Sequence, residues 1–251
     1  GASNVVLSSG TNFNNTVTVV GSQTVTVKSI TPAPTISKVY DGSTTIAALG
    51  GTPAGVVTGD VVTLNGGGTY ANKNAGTGKT YTLTNLALTG TDAANYSLST
   101  GASMTATNGV VTAKAITVTG IAANDKVYDG ANTATMNVSG ATFNGMVSGD
   151  NLSLTSITGT FAGKDVVTSG GVPASQVVTL ANSVFGGADV GNYSFTPQAT
   201  ANAKITTKAM TVSGLSADSR VYDGGVNTTV TNTNAVFNGL VIGDDVTVTA
   251  T

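Results

Sequence analysis

Apolar and polar side chains alternate with a period of two along much of the chain. Ile116 and Val118 alternate with Thr117 and Thr119, Leu152 and Leu154 with Ser153 and Thr155, Val246 and Val248 with Thr247 and Thr249. A strand sends successive side chains to opposite faces, so this pattern predicts strands with one face buried. No stretch holds the 3.6-residue period of an amphipathic helix, and the one helical hint is a turn near Asp92-Ala93-Ala94. In YTLTNLALTG, Tyr81 and Leu83 share one parity while Leu86 and Leu88 share the other, which predicts a bulge or break near Asn85. Gly, Asn and Asp punctuate the short runs, giving about seven strands in each stretch of domain size.

Those stretches repeat. KSITPAPTISKVYDG, from Lys28 to Gly42, returns as KAITVTGIAANDKVYDG from Lys114 to Gly130 and as KAMTVSGLSADSRVYDG from Lys208 to Gly224. Each Tyr-Asp-Gly is followed by a hydrophobic pair and Gly-Asp, ending at Asp60, Asp150 and Asp244. The first two copies go on to an aromatic-Ala-x-Lys stretch, Tyr70 to Lys73 and Phe161 to Lys164, and close on Asn-Tyr-Ser at Tyr96 and Tyr193. This divides the chain into 1–27, the tail of an upstream β region; 28–113 and 114–207, two β modules of about 90 residues; and 208–251, an incomplete third module. The expected fold is all-β, with tandem immunoglobulin-like sandwiches of antiparallel strands and a β-grasp-like sheet as the alternative.

Composition narrows the chemistry. Of 251 residues only 9% are charged, and Cys, His, Trp and Glu are absent, so all 12 acidic residues are Asp. Thiolate nucleophiles, imidazole bases, Cys/His zinc sites and disulfides are thereby excluded. The 10 basic residues are scattered, giving a net charge of −2 and no row of cations to meet phosphates, so nucleic acid is not an expected partner. No apolar run approaches the ~18 residues that read as a membrane span, so no membrane insertion is expected. The chain opens on Gly-Ala-Ser-Asn, and we read it as a segment of a longer polypeptide.

The recurring residues suit a structural role. In Tyr40-Asp41-Gly42, Tyr128-Asp129-Gly130 and Tyr222-Asp223-Gly224, the ring is expected to be buried with its hydroxyl on a backbone partner. Asp would accept from nearby amides and Gly would supply a positive φ. Gly-Asp reads as a turn opening the next strand, and Tyr96 and Tyr193 as pins near each module's end. The rival reading is a Ca²⁺ site drawn from Asp41, Asp60 and Asp92 or from Asp129, Asp150 and Asp189, carboxylates being the ligands a hard cation prefers. Further alternatives are a Lys114–Asn192 isopeptide bond and glycosylation at the two Asn-Tyr-Ser triplets. AGTGKTYT, Ala75 to Thr82, mimics the end of a phosphate-binding loop, but Lys73 stands where that loop needs Gly, so we read a Gly-rich hairpin turn. No hydrolase signature is present and no catalytic residue is assigned; the chain is not expected to be an enzyme.

Taken together, KVYDG, the Gly-Asp phrase, NYSL and the linking TAKAITV resemble the YDG and MBG-type repeats of large bacterial exoproteins related to filamentous haemagglutinin, over about residues 28 to 251. The resemblance implies a stalk or spacer of a secreted adhesin exported by two-partner secretion, held at the outer surface of the bacterium, that projects a binding region for attachment or biofilm formation. Its partners would be neighbouring modules of the same chain, with any polysaccharide or cell-surface ligand bound elsewhere in the full protein. The alternative function is a carbohydrate-binding module using an exposed surface such as Tyr70 and Asn72.

Overall fold

The computed structural model describes residues 24–249. The β region expected at 1–27 therefore lies outside the described residues except for 24–27. Among the described residues the regular structure is almost entirely β, and the only helices are single 3₁₀ turns at Ala93–Asn95 and Val190–Asn192. The first of these is the turn expected beside Asp92. By backbone contacts the chain falls into two compact units, one drawn from residues up to Pro34, Ala47–Gly67 and Leu83–Met104, the other from Thr35–Ile46, Gly68–Thr82 and Thr105 onward.

In the first unit, Lys28–Ile30 pairs parallel to Tyr96–Leu98, with Lys28 opposite Tyr96 and Ile30 opposite Leu98. The core beneath them is Ile30, Val62 and Tyr96, with Val56, Leu88 and Leu98 packed against it.

The second unit holds a complete version of the repeat's architecture. Lys126–Val127, Thr200–Thr206, Ser175–Gly186, Ser153–Phe161 and Thr133–Ala134 follow one another in a five-stranded sheet. Thr142–Asn144, Lys114–Thr119 and Tyr193–Thr196 form a three-stranded sheet. Val118 of the smaller sheet shares a core with Phe161, Val178, Leu180, Ala203 and Ile205 of the larger one. Removing each of the Val, Leu, Ile and Phe side chains from water stabilises the fold by about 1.5–3 kcal/mol, which is why alternation along the strands selects this face.

The expected purely antiparallel arrangement does not hold. Lys126–Val127 runs parallel to Ile205–Thr206, and Tyr193–Thr196 runs parallel to Lys114–Thr117. Ser37–Val39 is likewise parallel to Val110–Thr112. A repeat's opening strands are thus paired with strands near its end, and parallel neighbours need a long crossover between them. Alternation identifies a strand but carries no information on the direction of its partner.

The parity change at Asn85 has a backbone cause. Asn85 adopts φ 54°, inside the strand Gly76–Thr89, and Asn182 adopts φ 52° inside Ser175–Gly186. A left-handed residue inserts one step without a full pleat, so Tyr81 and Leu83 are buried before Asn85 and Leu86 after it. Asn tolerates that conformation better than most residues because its short side chain bonds locally. The Gly-rich stretch resembling a phosphate loop is not the turn itself: the turn lies at 71–75, and Gly76 already begins the strand.

Replacement tests the role of this backbone kink. Asn182→Gly is expected to leave stability within about 0.5 kcal/mol, whereas Asn182→Val, whose branched side chain resists positive φ, should lose about 1–2 kcal/mol in urea denaturation.

Candidate functional site

The recurring phrase folds the same way three times. Its cation and its aspartate pair across three residues: Lys38 Nζ lies 2.7 Å from Asp41 Oδ1, Lys126 Nζ 2.6 Å from Asp129 Oδ1, and Arg220 Nη1 meets Asp223 Oδ1. The same carboxylate oxygen accepts the backbone N–H two residues on, at 2.8 Å from Ser43, 2.9 Å from Ala131 and 2.9 Å from Gly225. The glycines between them sit at φ 80°, 80° and 81°, where a Cβ is disfavoured. Lys126 holds the Asp129 carboxyl below its usual range, and Arg220 does the same for Asp223. For Asp41, burial opposes ionisation, but the bonds from Lys38 and Ser43 outweigh it.

The tyrosine of the phrase faces elsewhere. Its backbone N–H completes the parallel pairing inside its own repeat, donating to Thr112 O at 2.8 Å for Tyr40 and to Thr206 O at 2.9 Å for Tyr128. Its hydroxyl, expected to find a backbone partner, instead donates to the Gly-Asp carboxylate of the following repeat. Tyr40 Oη is 2.8 Å from Asp150 Oδ2, and Tyr128 Oη is 2.8 Å from Asp244 Oδ1.

At the first of these junctions Asp150 collects three donors. Tyr193 Oη donates to Oδ2 at 2.6 Å, Tyr40 Oη to the same oxygen, and Lys73 Nζ to Oδ1 at 3.0 Å. The two rings meet edge to face with centroids 5.5 Å apart, and Lys73 Nζ stands 5.8 Å from the Tyr40 ring centre. Val147 N–H donates to the Tyr193 hydroxyl at 2.9 Å, so that oxygen both accepts and donates. Asn192 Oδ1 accepts the Ala75 N–H at 2.8 Å, a second polar link between repeats. A Cβ on Gly42 would lie 2.7 Å from Val147 Cγ1, so the glycine also permits the close approach of the next repeat.

Burial disfavours the Asp150 anion, yet hydrogen bonds from Tyr193 and Tyr40, with Lys73, hold its carboxyl below the usual carboxylate range. Burial and the Asp150 carboxylate push the Tyr193 hydroxyl up to about 12. The hydrogen bond from Lys73 toward Tyr40, followed by that to Asp150, raises the lysine's affinity for its proton.

The second junction repeats the geometry with fewer members. Lys164 Nζ lies 3.1 Å from Tyr128 Oη and 3.8 Å from Asp244 Oδ1, and a Cβ on Gly130 would lie 2.8 Å from Val241 Cγ1. No second Asn-Tyr-Ser follows Asp244 in this sequence. Tyr40 is 1% exposed at the fuller junction and Tyr128 half-buried at the smaller one.

The remaining candidates are distributed by the same logic. In the first unit, Tyr96 Oη donates to Asp60 Oδ2 at 2.6 Å and accepts Val57 N–H at 2.9 Å, as Tyr193 does with Asp150 and Val147. Asp92 and Asp189 each accept a backbone N–H, from Val61 and Asn151, at 2.9 Å. The six Asp proposed for Ca²⁺ thus face tyrosine, lysine and backbone donors, and among the described residues no three metal-ligating side chains converge. Asn192 is buried, which removes it as a glycosylation acceptor in the folded protein. Tyr70 is no sugar platform: it is buried, donates toward Ile36 O and Val110 O, and packs edge to face on Tyr81.

Sequence reasoning missed the cation–aspartate pair inside the phrase and the role of Lys73 and Lys164. The first had a signal in the conserved spacing of Lys or Arg three residues before Asp across all three copies; the second in the recurrence of aromatic-Ala-x-Lys.

The model of the YDG domain matches residues 22–106, 112–201 and 206–251. No curated protein and no solved structure matches the chain.

Two measurements probe the junction. Asp150→Ala, which strips two hydroxyls and an ammonium of their acceptor, should cost about 2–4 kcal/mol in chemical denaturation, and Asp150→Asn less. Stability should also bend at both ends of the pH scale. Because the folded Asp150 carboxyl titrates below its unfolded value, its contribution is present above about pH 4 and is lost as pH falls through the folded pKa. Because Tyr193 keeps its proton to about 12 when folded and to 10.0 when unfolded, stability should fall as pH rises between those values. Tyr193→Phe should flatten that alkaline limb in a pH series of urea midpoints.

Proposed function

Since the chain belongs to the YDG domain family, we propose that it is a non-catalytic stalk segment of a large secreted bacterial adhesin, built to hold a binding region away from the cell surface. The observation that carries this reading is the direction of the tyrosine hydroxyl. Twice, a repeat spends its recurring tyrosine on the aspartate of the next repeat, Tyr40 on Asp150 and Tyr128 on Asp244. Residues kept for joining one repeat to its successor serve a tandem array, in which each unit contacts its neighbours and length grows by repetition.

Chemistry and composition support the same reading. The recurrent carboxylates are engaged by donors within the fold, and the Tyr70 side chain suggested for sugar binding is buried. A chain with no cysteine crosses an oxidising compartment without forming wrong disulfides. As to fold type, two sheets sharing one core support a two-layer sandwich of mixed strand direction over a β-grasp, which needs a helix lying across its sheet.

The test is a pair of measurements on the whole 251-residue chain. A glycan and polysaccharide array is expected to show no saturable binding, and pulling single molecules by their ends should give discrete force peaks, lowered by Tyr40→Phe. Saturable polysaccharide binding at micromolar concentration would overturn the stalk reading in favour of a carbohydrate-binding module.

A further inference from the structure

Two tyrosines from successive repeats meet at the Asp150 junction with their rings edge to face, centroids 5.5 Å apart. Both hydroxyls donate to one oxygen, Asp150 Oδ2, Tyr40 from 2.8 Å and Tyr193 from 2.6 Å. Edge-to-face contact is common between buried rings. A common charged acceptor is not, and it gathers the two phenol oxygens, with the ring carbons ortho to them, at one point.

A second tyrosine pair in the same chain lacks this feature. Tyr70 and Tyr81 are both buried and also pack edge to face, with centroids 6.2 Å apart. Their hydroxyls diverge, Tyr70 Oη donating to the backbone carbonyls of Ile36 and Val110 and Tyr81 Oη to the Asn108 amide oxygen at 3.0 Å. Carbonyl and amide oxygens accept hydrogen bonds, whereas an ionised carboxylate can also take the proton itself.

We propose that Tyr40 and Tyr193 form an oxidative cross-linking site, at which a diffusible one-electron oxidant, of the class of small radicals that peroxidases release, joins successive repeats through a carbon–carbon bond between the two rings. A phenol that gives up an electron becomes a strong acid, and its proton passes along the existing hydrogen bond to Asp150 and on to solvent. The two phenoxyl radicals then pair, forming one bond between ring carbons ortho to the oxygens. The hydrogens on those carbons leave as protons while the oxygens regain theirs, by way of the same carboxylate. The net change is the loss of two electrons to the oxidant and two protons to solvent.

Both rings are buried, Tyr40 being 1% and Tyr193 6% exposed. The oxidant need not touch them, because an electron leaves through packed atoms, and Lys73, whose side chain is 39% exposed, stands 5.8 Å from the centre of the Tyr40 ring. Burial also shields each radical from outside reactants and leaves the neighbouring ring as its partner.

The test is independent of the stalk reading: polysaccharide binding would sink that reading and leave this result untouched. The 251-residue chain, kept dilute, is exposed to trisbipyridyl ruthenium(III) generated by light and persulfate, digested with trypsin and analysed by mass spectrometry. The expected product is a peptide pair joined through Tyr40 and Tyr193 and lighter by two hydrogens, in about tenfold the yield of any Tyr70–Tyr81 product. Tyr70 shares with Tyr40 the tryptic peptide between Lys38 and Lys73, so Tyr40→Phe is the assigning control and should remove the product. Asp150→Asn, which keeps an acceptor but not a base, should slow cross-linking about tenfold or more. Should that variant not fold, the yield ratio between the two tyrosine pairs of the unaltered chain decides the matter. A Tyr70–Tyr81 product as abundant as the Tyr40–Tyr193 one, a product that survives Tyr40→Phe, or tyrosine cross-links between separate chains alone would overturn the proposal.

Discussion

One carboxylate, that of Asp150, organises the contact between successive repeats. Its side chain is only 3% exposed, and an anion so placed is stable only when its oxygens are well supplied with donors. Two tyrosine hydroxyls and a lysine meet that need, one tyrosine from its own repeat and the other, with the lysine, from the repeat before. The consequence is coupling: neither repeat can move away without leaving a buried charge short of partners. Apolar contact such as Gly42 against Val147 sets how closely the two approach, while the polar cluster sets their registration. An apolar patch alone would tolerate sliding; three directed bonds on one carboxylate do not.

The phrase itself divides the labour among its letters. Lys or Arg closes on Asp and on the carbonyls that follow, five and, for Lys126, also seven positions on, which ties the phrase into a loop. Gly turns the chain. The tyrosine, freed from local duties, is thereby presented at the edge of its repeat in a fixed direction. Arg220 replaces Lys without disturbing this, because a guanidinium also reaches both Asp223 and the Gly225 carbonyl.

Strands, the parity break at Asn85 and the short turn beside Asp92 were legible in the sequence because each has a local cause, a pleat, a tolerated φ or a tight turn. The recurrence of Tyr, Gly-Asp and aromatic-Ala-x-Lys at steady distances was equally legible, but not that Lys73 and Lys164 serve the junctions. What the sequence withheld was which copy of each meets which. Tyr40 is 20 residues from Asp60 and 110 from Asp150, and periodicity gives no reason to prefer the distant one. The parallel pairing of Ser37–Val39 with Val110–Thr112 was hidden for the same reason: partner choice in a sheet is a property of the closed core, not of the alternation along either strand. Tyr70 shows the converse error, where an aromatic beside polar neighbours looked like a surface feature until two carbonyls, at Ile36 and Val110, accounted for its hydroxyl.

The parallel seam between opening and closing strands has a consequence for biogenesis. Lys28 and Tyr96 are joined across most of a repeat, so the strand Lys28–Ile30 waits for a strand near the repeat's end before it gains its neighbour. Such sequence-distant pairings form slowly, since loop closure must precede the contacts that reward it. A repeat therefore lacks this seam until most of its length is present, which makes the repeat, and not the single strand, the unit that folds.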